Sequence, residues 1–175
     1  MVIDSASLTA INEAAPYKVK CVDSEKCTLC FSTDYDVEIF VTFEEDDLFS
    51  TGLAYQFGIS NPKGIPSPRD PKVRDTILAI VEEFFCANEA ALLYICETGD
   101  GMQRMRSRLF RFWFGIYGGR EEYVFLPQTV ADEEGNENYA ALIIHKDNPH
   151  FADMVAEFME TIMLLNAKPG DEELL

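Results

Sequence analysis

Apolar and polar positions alternate through the first third of the chain. Tyr17, Val19 and Cys21 share one face of residues 17–22, which predicts a half-buried strand. A polar turn at 23–26 leads to a second strand at 27–32. Tyr35, Val37, Ile39, Val41 and Phe43 then fall on one face of residues 35–43, and Leu53, Tyr55, Phe57 and Ile59 on one face of 53–59. Four successive strands with short connections predict an antiparallel meander.

The period changes after a proline-rich connector at 61–68. Asp70 and Pro71 supply an N-cap and a first helical residue. Val73, Ile77, Ile80, Val81 and Phe84 follow at spacings of three and four, the signature of a helix with one core-facing stripe. Residues 91–96 read as a central strand and 102–117 as a helix stopped by Gly118 and Gly119. Strands at 122–126 and 139–144 flank an acidic hairpin tip at 132–138. Asn148 and Pro149 open a last helix lined by Phe151, Met154, Val155, Phe158, Ile162 and Leu165.

This order predicts an α+β fold: a largely antiparallel sheet, made of the N-terminal meander and later strands, with helices mainly on one face. Residues 1–15 carry few large apolar groups and predict a loose N-terminal arm. Residues 16–167 read as a single domain and 168–175 as a disordered tail.

Composition adds a compartment. The 175 residues are 47% hydrophobic and 26% charged, ordinary for a globular chain with a proper core. No apolar run approaches the ~18 residues that span a bilayer. The start shows no basic stretch followed by an apolar one, so no secretory leader is expected. Five cysteines, an odd number in a chain this long, predict reduced thiols. The expectation is a soluble, cytoplasmic protein. The net charge of −17, from 31 acidic and 14 basic residues, disfavours general binding of nucleic acid. Its plain consequence is solubility. A sharper one is acidic mimicry of nucleic acid toward a basic partner.

Against that charge, Arg104, Arg106, Arg108 and Arg111 all fall in the 102–117 helix. At about 100° per residue, Met102, Met105, Leu109, Phe112, Trp113 and Ile116 gather on the side expected to face the sheet. Arg104, Arg108 and Arg111 form a second stripe. Phe110, Phe114 and Tyr117 form a third, which needs a cover from a neighbouring element or a partner. The arginines have two readings. They pair with the protein's own carboxylates, or they serve an anion site. For the latter, the loop at 97–101, with Glu97, Thr98 and Asp100, precedes a helix N-terminus, where free N–H groups and the helix dipole favour anions. Asp100 can instead cap that helix itself, and Glu97 and Asp100 repel a phosphate. Neither a Walker lysine nor a G-x-G-x-x-G pattern is present.

Other chemistry finds less support. Cys27 and Cys30 have the C-x-x-C spacing without a second pair, and His145 and His150 are not in zinc-finger spacing. Residues three apart in a strand also point to opposite faces. No metal or cofactor is therefore expected. Asp34, Asp36 and Glu38 read as the wet side of one strand. A G-x-S-x-G elbow is absent. Cys86 and Cys96 sit in apolar settings, where thiols are usually inert.

Residues 76–85, the strand ending Leu93-Tyr94-Ile95-Cys96, the Glu97-Thr98-Gly99-Asp100 loop and the run Arg106-Ser107-Arg108-Leu109-Phe110-Arg111-Phe112-Trp113-Phe114 resemble an uncharacterised family of small proteins common in Bacteroidetes. The resemblance covers about two-thirds of the chain. It implies a bacterial protein, with Arg106, Arg108, Leu109, Phe110, Trp113 and Phe114 as motif positions, and it supplies no activity.

The residues point to binding rather than catalysis. The expected mode is homo-oligomerisation or docking of another protein, through the Phe110, Phe114 and Tyr117 side or an open sheet edge. The alternative is an enzyme or receptor for a phosphate-bearing small molecule or nucleic-acid end, built from the 97–101 loop with Arg104, Arg108 and Arg111.

Overall fold

The computed structural model describes residues 2–96, 103–117 and 122–167. Helix α1 (Ser5–Ala14) leads to strands β1 (Lys20–Asp23), β2 (Thr28–Ser32), β3 (Glu38–Asp46) and β4 (Ala54–Ser60). Helix α2 (Pro71–Ala87) and strand β5 (Ala91–Cys96) follow. Helix α3 (Gln103–Phe112) runs on into a π-helical turn, Trp113–Tyr117. Strands β6 (Tyr123–Ala131) and β7 (Glu137–His145) and helix α4 (Phe151–Asn166) complete the described chain. Among the described residues no helix is long and apolar enough to cross a membrane.

The fold is α+β. One seven-stranded sheet has the order β1-β2-β3-β4-β5-β7-β6. Its pairs are antiparallel except β4 with β5, which run parallel because α2 carries the chain back to the starting end. Asp70 caps α2 as its sequence suggests, its Oδ1 accepting from the Lys72 N–H at 2.9 Å with Pro71 behind it. The third strand starts later than its alternation suggests. Thr33 to Asp36 form the preceding turn, and Asp36 takes a left-handed φ of 57°, which a short polar residue tolerates.

Two apolar clusters lie on opposite faces of the sheet. The first joins Ile11 of α1, Ile77, Ile80 and Phe84 of α2, and Phe110, Trp113 and Phe114 to Leu29, Val41, Phe57, Leu92, Tyr94 and Ile143 of the strands. The second joins Met154, Phe158 and Ile162 of α4 to Leu93, Leu142 and Ile144. Neighbouring residues of β5 and of β7 thus serve different clusters, as strand geometry requires. Three helices cover one face and α4 the other.

The N-terminal residues are more engaged than a loose arm. Asp4 caps α1 through the Ser7 N–H at 2.8 Å, and Ile3 and Ile11 are buried in the first cluster. Asn12 adds a clamp, accepting from the Val19 N–H at 2.7 Å and donating to the Val19 carbonyl at 2.9 Å. Ile3 and Ile11, with Val2 and Leu8 packed beside them, seat this helix on the sheet. Residues 168–175 lie outside the described part.

Both edges of the sheet are protected. β1 is four residues long and its register shifts between Cys21 and Asp23. On β6, the positions facing away from β7 include Pro127, which has no N–H to offer there. Asn166, at the end of α4, fills the next two places. Its amide donates to the Thr129 carbonyl at 2.9 Å and its oxygen accepts from the Ala131 N–H at 3.0 Å. One side chain takes the role of a paired strand, so most of β6 is not an open template for a partner.

Candidate site: an acidic, apolar-walled groove beneath helix α4

Helix α3 does not sit as the 100° projection suggests. Phe110 and Phe114 are 4% and 5% exposed, within the chain itself. The Phe110 ring stacks on Tyr94 with centroids 3.8 Å apart, and Phe114 stacks on Phe125 at 5.8 Å. They offer no surface to a partner. The sheet at this point presents the rings of Phe57, Tyr94 and Phe125, and the most aromatic side of the helix fills that space. Met105, at 59% exposed, and Leu109, at 37%, turn to solvent instead.

Arg108 and Arg111 are also exposed, and among the described residues no ion pair joins either to a carboxylate. Glu97, Thr98 and Asp100 lie outside the described residues, as do the side chains of Arg104 and Tyr117. The structure therefore brings Arg108 and Arg111 together with Met105 and Leu109 on one outward face.

A sizeable cavity lies on the other side of the sheet. It is an open groove of about 570 Å³ between α4 and the β5–β7–β6 strands, a size common for ligand sites. Leu93 and Ile95 of β5 and Ala140 of β7 form its floor. Phe158, Ile162 and Leu165 of α4 form one wall, and Val130 and Leu48 close the ends. Asp46, Asn138 and Thr161 are its polar members. Asp46 is fixed by its own loop, accepting from the Leu48 N–H at 2.8 Å. Just before Leu165, 57% exposed, the helix carries Met163 and Leu164, both more exposed still.

The charged side chain in the groove lining is a carboxylate, Asp46, and the stretches that build the walls are rich in acids. Residues 27–62, 121–145 and 147–167 contain no lysine or arginine. These stretches supply every wall except that of β5. Asp46 lines the groove on one bank, with Glu44 and Asp47 close to it in the chain, and the hairpin between the lining residues Val130 and Asn138 carries Asp132, Glu133 and Glu134. Such a field draws cations and excludes anions.

A second, smaller cavity of about 390 Å³ holds Cys86, His145 and Asp147. It lacks the chemistry of a nucleophile with a base. Burial pushes the Cys86 thiol up, and Glu83, Glu82 and Glu122 push it the same way, so the sulfur stays protonated. His145 Nδ1 accepts from the Asp147 N–H at 3.1 Å. In the neutral imidazole the ring proton then sits on Nε2. Cys27 is buried in the first cluster, Cys30 on the opposite face of β2, and burial raises both thiols. Among the described residues no group of three His, Cys, Asp or Glu side chains is placed to hold a metal ion.

A family model matches residues 69–160, from the cap of α2 to the last turns of α4, and describes a family of unknown function, DUF6169. The chain belongs to the DUF6169 family. No curated protein and no solved structure matches it. The family span holds the groove floor of this DUF6169 chain, Leu93, Ile95 and Ala140, together with Phe158. Asp46, Leu48, Thr161, Ile162 and Leu165 fall outside it.

The groove escapes sequence reasoning because its residues come from positions 46 to 165 with no common spacing. Two signals hint at it. One is the apolar run Met163-Leu164-Leu165 at the end of an otherwise amphipathic helix; the other is the long stretches without a cation.

Proposed function

We propose that this DUF6169 protein is a binding module whose recognition surface is the groove beneath α4, and that it takes an apolar group carrying a positive charge. The observation that carries this reading is the pairing of an apolar-walled cavity of about 570 Å³ with the Asp46 carboxylate in its lining and wall-forming stretches that hold acids and no lysine or arginine outside β5. The walls exclude water from an alkyl chain or side chain, and the banks select its charge. The site has no nucleophile–base pair, which favours binding over turnover. The Arg106 to Phe114 motif fits a packing role in the same picture, since Phe110, Trp113 and Phe114 are buried, and we extend that to bacterial relatives of the Bacteroidetes type.

Titration with octylammonium and octanoate, followed by methyl NMR, tests the proposal. The cation is expected to shift Leu93, Val130 and Leu165, and the anion to leave them in place. Ala140→Trp, which fills the floor, abolishes the response. Equal shifts with both ligands, or none with either, overturn the reading.

A second reading is favoured by exposed Arg108 and Arg111: an anion site for a phosphate-bearing ligand on the α3 side. Thermal unfolding with inorganic phosphate and nucleotides checks it. A ligand at about a hundred times its Kd stabilises by about 2.7 kcal/mol, and loss of that shift in Arg108→Ala supports the site. A flat panel removes it.

A further inference from the structure

The groove asks for an occupant that is apolar at its centre and cationic at its margins, and one surface of this chain has that make-up. On α3, Met105 and Leu109 stand one turn apart, exposed, with Arg108 and Arg111 beside them. We infer that the groove beneath α4 receives helix α3 of a second copy of this chain, Met105 and Leu109 entering it while Arg108 and Arg111 face the acidic banks around Asp47 and Glu133. The inference rests on the groove being the recognition surface.

The topology dictates the form of the contact. α3 packs against Tyr94 and Ile143, and the groove is floored by Leu93, Ile95 and Ala140, the alternate positions on the same strands. The sheet therefore stands between a chain's α3 and its own groove, and the contact is possible only between copies. The two surfaces differ and lie on opposite faces, so the interface is heterologous and head-to-tail, repeating until it closes a ring or extends a filament. The protected edges of the sheet leave this face-to-face route in place of strand pairing.

The charge pattern makes the contact directional. Identical faces cannot substitute: groove against groove sets carboxylates against carboxylates, and α3 against α3 sets arginines against arginines. With a net charge of −17, whole-molecule repulsion opposes association. The assembly then forms only at raised concentration.

Sedimentation velocity on the full chain, over a wide concentration range, provides the test, with two surface variants: Arg108→Glu/Arg111→Glu, which disables the helix, and Leu165→Glu, which disables the groove. Unchanged melting curves verify that both fold. The wild type is expected to self-associate with concentration, and each variant alone to do so about tenfold more weakly or worse. Mixed, the two variants have one working half-interface each and form a one-to-one dimer that grows no further. Salt near 1 M, where screening acts over about 3 Å, weakens the wild-type contact. A wild type that is monomeric throughout, or variants that fail to pair when mixed, overturns the inference. If octylammonium still shifts Leu93 and Leu165 in that case, the groove survives as the recognition surface and only the second copy is lost. If association persists in Leu165→Glu while octylammonium has no effect, the groove itself is wrong.

Discussion

Tyr17 shows how much one side chain organises. It is buried, yet its hydroxyl donates to Asp70 Oδ2 at 2.6 Å and accepts from the Asp34 N–H at 3.1 Å. Lys72 pairs with Asp34 at 2.7 Å and stands 5.6 Å over the Tyr17 ring. One phenol thus joins the N-terminal segment, the β2–β3 turn and the start of α2. Burial, with Asp70 close by, pushes its pKa from 10.0 up to about 12. The neutral phenol is the folded form, so its contribution is complete below pH 10.0 and fades as pH rises toward about 12. Tyr17→Phe is expected to cost about 1 kcal/mol at neutral pH, because Asp34 and Asp70 can turn to water. It should also shrink the alkaline loss of stability, as read by urea denaturation across pH. That Asp70 caps α2 could be read from the Asp-Pro pair; that it also holds Tyr17, 53 residues away in sequence, could not.

At the scale of elements, α3 explains where sequence reading stops. Its apolar residues cover more than one side, and two of those sides are equally good stripes on paper. Only the aromatic rings waiting on the sheet decide between them. The π-helical turn at Trp113–Tyr117 compounds the difficulty, since extra residues per turn rotate any projection carried through it. Phe110→Ala is expected to lose about 3–5 kcal/mol. Leu109→Ala, on the outward side, should stay within about 0.5 kcal/mol. A chemical denaturation series on the pair checks which side faces the core. The strands were legible where alternation is strict, as in β3 and β4. In β5 both faces are apolar, and this is the strand that borders both clusters. Asn166 makes a different kind of prediction. Asn166→Ala leaves the Thr129 carbonyl and the Ala131 N–H without their partner and opens the β6 edge. Light scattering during refolding should show faster aggregation than for the wild type, with only a small change in equilibrium stability.

For the whole molecule, pH acts through hydrogen-bonded carboxylates as well as net charge. The Ser50 N–H and hydroxyl and the Thr51 hydroxyl hold the Glu157 carboxylate at 2.8–2.9 Å and lower its pKa. Lys72 lowers that of Asp34, and Asn136 that of Asp132. Each supports the fold above its ordinary range near 3.8 to 4.5, and that support is lost as pH falls through the lower folded value. Glu157→Gln is therefore expected to flatten the acid side of a stability–pH profile. It should also loosen the loop that lays Gly52 against Met154, where an added Cβ would come within 2.5 Å of the sulfur. The groove belongs to this scale too. It is assembled from five separate segments, and no window of sequence contains it.

The two clusters, divided by β5 and β7, carry a consequence for how the molecule breathes. β5 and β7 lose their cover only when both clusters open, whereas α4 needs only the second to part. Amide hydrogens of β5 and β7 should therefore exchange last, near the global unfolding free energy, and those of α4 earlier, in a partial opening that leaves α1 and α2 in place. Anything that settles in the groove would slow exchange along α4 and leave the far side of the sheet to its own clock.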